Sequence, residues 1–169
     1  MPPPATSADL FARLEALGIR TDTVRHAAVF TVEEAKAHRG DLPGAHIKNL
    51  FLRNKKGEMW LVVADEDRPI DLKRLGELLG AGRLSFGSAE RLLANLGVVP
   101  GAVTPFGVIN DTAGQVRVAL DRQLLVHAIV NCHPLTNDRT TAIAPADLIA
   151  FLEATGHPPL LLDFDGRAG

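Results

Sequence analysis

The run Ile47-Lys48-Asn49-Leu50-Phe51-Leu52-Arg53 places an amine and an amide inside an otherwise apolar, β-rich segment. Side chains alternate across a strand, so Lys48 shares a face with Leu50 and Leu52, and Asn49 shares the other with Ile47 and Phe51. Lysine is seldom fully buried unless it is paired. Lys48 therefore either sits at the exposed mouth of the strand or lines a pocket as a cationic group, and the pattern is compatible with both. A second candidate is the stretch from Pro100 to Gly107, with Gly101, Thr104, Pro105, Phe106 and Gly107. Glycines let backbone N–H groups approach a ligand and point at a carbonyl or oxyanion, although such loops also serve as plain connectors. The third is Asn131-Cys132-His133-Pro134, where the proline holds His133 extended and fixes where its imidazole points. His133 is then an acid/base group, a donor that orients a ligand, or an ordinary loop histidine.

Several chemistries are not encoded. The six histidines show no His-Glu-x-x-His spacing, and a single cysteine cannot build a zinc ribbon, so neither a metal site nor a cofactor is expected. Cys132 beside His133 is not a nucleophile–base pair, because sequence neighbours rarely face each other in an extended chain; it reads as a small buried residue. No phosphate loop, dinucleotide fingerprint or Gly-x-Ser-x-Gly elbow is present.

The elements that must position these groups follow from periodicity and capping. Ser7 reads as the N-cap of a helix carrying Leu10, Phe11, Leu14 and Leu17 and stopped by Gly18. Thr23–Val29 is extended, and Thr31 with Glu34 forms a capping box for a short helix, Val32–His38, followed by a loop, Arg39–Ala45. Ile47–Arg53 and Met59–Ala64 form a β-hairpin around the turn Asn54–Glu58. Asp71 and Ser88 cap helices that end at Gly80 and Gly97, with a short strand at Leu84–Phe86 between them. Strands are expected at Val108–Ile109, Val116–Leu120, Val126–Asn131, Thr140–Ile143 and Leu160–Leu162, with a helical turn at Asp121–Leu125 and a last helix starting at Pro145. Hairpins outnumber βαβ crossovers in this pattern. The expected fold class is α/β of the α+β kind, a mixed and mostly antiparallel central sheet with surrounding helices.

Bulk properties bound the answer. The 169 residues suit one domain, 1–169, and the 46% apolar content is ordinary for a globular protein. A net charge of −2 argues against a protein that coats nucleic acid, while Arg53, Lys55 and Lys56 still offer a local cluster for the end of an RNA. The start lacks a signal peptide's basic and apolar regions, and no apolar run approaches the ~20 residues that span a bilayer. The expectation is a soluble cytoplasmic protein with no membrane partner.

Taken together, Phe30-Thr31-Val32-Glu33-Glu34-Ala35, Lys48-Asn49-Leu50-Phe51-Leu52, Leu84-Ser85-Phe86, the string Leu96 to Gly107 and His133-Pro134-Leu135-Thr136-Asn137 resemble one family. It is the freestanding relatives of the editing insertion domain of bacterial prolyl-tRNA synthetase, the YbaK/ProX family. Within it the pattern is most similar to alanyl-tRNA(Pro) trans-editing deacylases. The resemblance implies metal-free hydrolysis of an aminoacyl ester, with the family's invariant lysine falling on Lys48 and its neighbour on Asn49. It also implies substrate-lining loops at Gly101–Gly107 and around His133, and a partner in the acceptor end of tRNA(Pro); the basic residues Arg53, Lys55 and Lys56 are, by their charge, the expected contacts to that acceptor stem. Delivery by prolyl-tRNA synthetase or an elongation factor fits the same picture. Cys132 departs from the glycine or apolar residue common before the histidine. The alternatives are a deacylase for cysteinyl-, seryl- or glycyl-tRNA, and a noncatalytic tRNA-binding regulatory module.

Overall fold

Residues 3–26 and 43–164 are described by the computed structural model. The capping box Thr31/Glu34, the helix Val32–His38 and most of the loop Arg39–Ala45 lie outside the described residues. In chain order the elements are α1 (Ser7–Ala16), β1 (Thr21–Arg25), β2 (Ala45–Arg53), β3 (Met59–Asp65), α2 (Leu72–Leu79), β4 (Ser85–Phe86) and α3 (Ala89–Leu96). There follow a 3-10 helix (Pro105–Asn110), β5 (Val116–Asp121), a second 3-10 helix (Arg122–Val126), β6 (Val130–Cys132), β7 (Arg139–Ile143), α4 (Pro145–Ala154) and β8 (Leu160–Leu162).

Local chemistry explains most boundaries. Asp71 accepts from Lys73 N and Ser88 from Arg91 N, and Gly80 and Gly97 close the two helices in the left-handed conformation. Helix α1 begins one residue earlier than Ser7 suggested. Thr6 is its N-cap, because Asp9 three residues on completes a reciprocal capping box, whereas three residues beyond Ser7 stands the apolar Leu10. Ser7 is buried instead and donates to the Pro134 carbonyl at 2.5 Å. The turn of the hairpin is organised by Asn54, whose Oδ1 accepts from Lys56 N and Glu58 N and whose Nδ2 donates to Glu58 and to the Ala81 carbonyl.

Two expected strands are not formed as such. Val108–Ile109 belongs to the 3-10 helix Pro105–Asn110: Pro105 has the backbone angle of a first helical residue and Thr104 caps the turn, which outweighs the β preference of Val and Ile. Val126–Asn131 shrinks to Val130–Cys132, since Asp121 caps a 3-10 helix that consumes the chain through Val126.

The sheet runs β1-β7-β6-β2-β3-β5-β8, with β4 also paired to β2. Four pairings are antiparallel, and β2–β6, β3–β5 and β5–β8 are parallel. The long connections that parallel neighbours require carry helices over both faces. One face is covered by α1, α3, α4 and Phe106 packed on Phe51, Leu61, Val63, Val118 and Leu120. The other carries α2, with Leu75 against Leu52, Trp60, Val62 and Ala119. Strand β3 is buried from Met59 to Ala64 because both of its faces are covered.

Gly76 shows how tightly α2 is seated: a Cβ there would lie 2.1 Å from the Gly82 carbonyl oxygen. Alanine gains about 1 kcal/mol in helix propensity, but a clash with backbone is not relieved by a rotamer change. Gly76→Ala is expected to destabilise the protein by about 1–3 kcal/mol, read as a lower urea midpoint; a raised midpoint would refute the close seating.

Candidate functional site

Strand β2 has an incomplete neighbour. On the edge away from β3, its first residues Ala45 and His46 pair with β6, and its last, Leu52 and Arg53, pair with β4. Between these two short partners, the Lys48–Leu50 stretch has no strand alongside it among the described residues. Phe51 contributes its carbonyl to Gly87 N at 2.9 Å, which closes the far end of the opening. The interruption falls on the segment that holds the amine and the amide.

Lys48 and Asn49 are both half-buried and point to opposite faces. Lys48 lies on the α2 side with Leu50 and Leu52, and its Nζ donates to the Arg68 carbonyl in the loop after β3. Asn49 lies on the other side with Ile47 and Phe51. Its Oδ1 is buried and has no hydrogen-bond partner among the described residues. A buried acceptor left unsatisfied costs roughly 1–3 kcal/mol, so it marks a place where a donor from outside would be welcome.

His133 arrives at the same level from β6. The parallel register pairs Ala45 with Val130 and His46 with Asn131, so two further steps bring His133 level with Lys48, where β6 has ended and the opening begins. Alternation gives both the same face, since Val130 and Cys132 point into the opposite core. His133 Nδ1 lies 3.0 Å from the Arg139 carbonyl. A carbonyl only accepts, so Nδ1 carries the proton and Nε2 is left as the ring's acceptor. The His26 ring stands 6.3 Å away, centroid to centroid. Burial lowers the His133 pKa below its ordinary value, and the neighbouring His26 adds to that; the Arg139 carbonyl and Asp138 act in the opposite sense. Cys132 is buried and its thiol is pushed up out of the reactive range by desolvation, which fits a packing role.

The loop residues are placed on the Asn49 side. Thr104, Pro105, Phe106 and Gly107 are buried, and Phe106 packs edge-on against Phe151 with centroids 5.4 Å apart. Several of the amides are already used: Phe106 N donates to Thr104 Oγ1 and Gly107 N to the Thr104 carbonyl, while Ala102 N donates to Val99 O. Gly107 also allows close packing, since a Cβ would meet Leu96 at 3.1 Å. Gly101 adopts a left-handed conformation with φ 91° and is half-buried. Arg53 ends β2, about 17 Å along the strand from Lys48 at ~3.4 Å per residue, and Lys55 and Lys56 are exposed in the turn beyond it.

Sequence reasoning overlooked three residues here. Arg68 and Asp121 form a buried ion pair behind Lys48, 53 residues apart in the chain, which no local pattern signals. Phe86, 61% exposed, stands on β4 opposite Leu52, and reading Leu84–Phe86 as a plain strand gave no hint of it. A cavity of about 330 Å³ lies elsewhere, between Trp60, Leu79, Val116, Arg117 and His157, and none of the candidate residues lines it. Among the described residues, no group of three or more His, Cys, Asp or Glu is arranged to hold a metal ion, and no helix is long and apolar enough to cross a membrane.

Known proteins share this architecture. Residues 26–151 match the model of the aminoacyl-tRNA editing domain. Prolyl-tRNA synthetase associated domain-containing protein 1 of Danio rerio is 44% identical over 154 residues, covering 90% of this chain and 84% of the relative. Prolyl-tRNA editing protein ProX of Acetoanaerobium sticklandii is 39% identical over 149 residues, covering 88% and 91%. A solved structure of a proposed trans-editing enzyme for prolyl tRNA synthetase superposes with a TM-score of 0.70 at 25% identity, covering 94% of this chain and 96% of that one. The interrupted strand with its lysine, amide and histidine is thus carried on a fold and a sequence that these proteins share, and the chain belongs to the aminoacyl-tRNA editing domain family.

Proposed function

We propose that the protein is a trans-editing hydrolase that cleaves the ester joining alanine to the terminal ribose of mischarged tRNA(Pro). The observation that carries the reading is the opening beside β2, flanked on one face of the sheet by an ammonium and a neutral imidazole and on the other by an unsatisfied amide oxygen. Editing requires no more than this: a site for the amino acid, a positive group for the ester end, and a placed water.

Hydrolysis adds water to the ester carbonyl, places negative charge on the carbonyl oxygen, and releases alanine and a ribose hydroxyl. The Lys48 ammonium holds the ester or the adjoining phosphate in register and offsets the developing charge. Asn49 Oδ1 accepts from the substrate's α-amino group, and the remaining amides of the Gly101–Thr104 stretch are candidates to hold its carbonyl. His133 orients the acyl end through Nε2, and the ribose 2′-hydroxyl beside the ester assists the attacking water. Arg53, Lys55 and Lys56 lie at a reach suited to phosphates of the acceptor stem. The substrate is met in the cytoplasm, brought by the synthetase or an elongation factor.

Size selects the amino acid. A cramped site rejects proline by clash, whereas the missing methylenes of a smaller side chain are penalised by only ~1–3 kcal/mol each in a larger pocket. Exclusion of the larger, correct amino acid is therefore the sharper filter.

Lys48→Ala is expected to lower the rate of alanyl-tRNA(Pro) deacylation by ~10²–10³-fold with an unchanged far-UV circular dichroism spectrum, and wild type should spare prolyl-tRNA(Pro). Turnover no faster than spontaneous hydrolysis would instead identify a noncatalytic tRNA-binding module, and faster cleavage of cysteinyl- or seryl-tRNA would reassign the substrate. For His133 the sign follows from its lowered pKa: the neutral acceptor persists below the ordinary value of 6.5, and protonation at lower pH removes it. The acid limb of kcat/KM for wild type is expected to have its midpoint below pH 6.5 and to vanish in His133→Gln. A midpoint above that value would contradict the role given to Nε2.

A further inference from the structure

Lysine is a flexible four-carbon stem with a point charge at its tip, and nothing in a β-strand dictates where that charge goes. In this protein the Lys48 ammonium is held by the backbone carbonyl of Arg68, which lies in the loop between β3 and α2. Asp67 and Pro69, on either side of Arg68, are exposed, and the turn is held locally by Arg68 N to the Asp65 carbonyl and Asp67 N to Asp65 Oδ1. The Arg68 side chain adds a tie from this turn to a distant strand. Its Nε donates to Asp121 Oδ2 at 2.5 Å, with side-chain exposures of 13% and 1%. Its guanidinium also lies 4.9 Å from the centre of the Phe164 ring.

Asp121 is a fixed point. It ends β5, which is paired to β3 on one side and β8 on the other. Its Oδ1 accepts from Gln123 N at 3.0 Å and caps the following 3-10 helix, while Oδ2 also receives Asp65 N at 3.3 Å. A charge-assisted hydrogen bond to a buried carboxylate is stronger and less screened than one at the surface.

We propose that Arg68, clamped by Asp121, is a positioning residue for Lys48: the buried ion pair immobilises the loop whose carbonyl aims the ammonium. An ammonium has three donors. The Arg68 carbonyl takes one, and that bond sets the direction of the others, which remain for an oxygen of the ester or phosphate. The catalytic consequence rests on the deacylase reading, while the positioning itself does not.

The test uses the full chain and reads Lys48 directly. Acetylation of lysine amines by N-hydroxysuccinimidyl acetate is followed by peptide mass spectrometry, with the exposed Lys55, Lys56 and Lys73 as internal references. In Arg68→Ala, loss of the held hydrogen bond is expected to raise the Lys48 labelling rate about tenfold and leave the references unchanged. On alanyl-tRNA(Pro) the same variant should lose about 10²-fold in kcat with little change in KM, and Arg68→Lys, which keeps a cation opposite Asp121, should recover part of both. An ion pair that only stabilised the fold would lower the melting temperature and move neither Lys48 labelling nor kcat in the folded protein. Unchanged Lys48 labelling in folded Arg68→Ala overturns the proposal. Should that variant fail to fold, Asp121→Asn, which keeps an acceptor without the charge, carries the same readout, and unchanged labelling there overturns it equally. A labelling shift in a protein that does not deacylate leaves the positioning standing and removes the deacylase reading; normal deacylation with no shift does the reverse.

Discussion

Strands β2 and β3 run between two apolar layers, so every polar group placed on them must find a partner inside the protein. The structure meets that requirement group by group. Asn54 spends both ends of its amide on the hairpin turn and on the Ala81 carbonyl. Asn131 on the neighbouring strand donates to the carbonyls of Pro43 and Ala45. Lys48 reaches the Arg68 carbonyl. Asn49 Oδ1 is the acceptor on β2 that this accounting leaves over, and it sits where the sheet is interrupted. A buried acceptor without a partner, placed beside that interruption, is best understood as reserved for a ligand.

The interruption itself has a structural origin. Two short strands, β6 and β4, pair with opposite ends of the same edge of β2, and neither is long enough to meet the other. β6 ends as Cys132 gives way to His133-Pro134, because a proline holds its predecessor extended but donates no ladder hydrogen bond of its own. β4 is limited to Ser85–Phe86 by Ser88, which starts the next helix. The groups beside the opening thus sit on or directly after strands rather than on long loops, which suits chemistry that depends on fixed donors and charges. The loop Pro100–Gly107 contributes more packing than its glycines suggested: Phe106 and Gly107 seat it against α4 and α3, and several of its amides turn inward.

Much of the local structure was legible in the residues. Asp71 with Gly80, Ser88 with Gly97, and Pro145 at a first helical position marked three helices, because capping and proline geometry act over three or four residues. The hairpin was equally plain, since two apolar runs flank a polar turn. Misreadings occurred where two local signals competed: Thr6 against Ser7 for the first cap, and a Thr-Pro turn against β-branched Val108–Ile109. In each case the winner was the alternative that satisfied more backbone groups.

What the amino-acid sequence determined by itself is therefore local: the helix ends, the hairpin, the two-faced apolar strand carrying Lys48 and Asn49, and the motif strings that mark the family. Tertiary structure alone decided which strands lie side by side, that β6 stops at the level of Lys48, and that an arginine and an aspartate 53 residues apart stand behind the lysine. The physical reason is range. Capping and side-chain alternation are settled among neighbours in the chain, whereas strand order and buried ion pairs are settled by how two apolar faces close over one sheet, which no short stretch of residues contains.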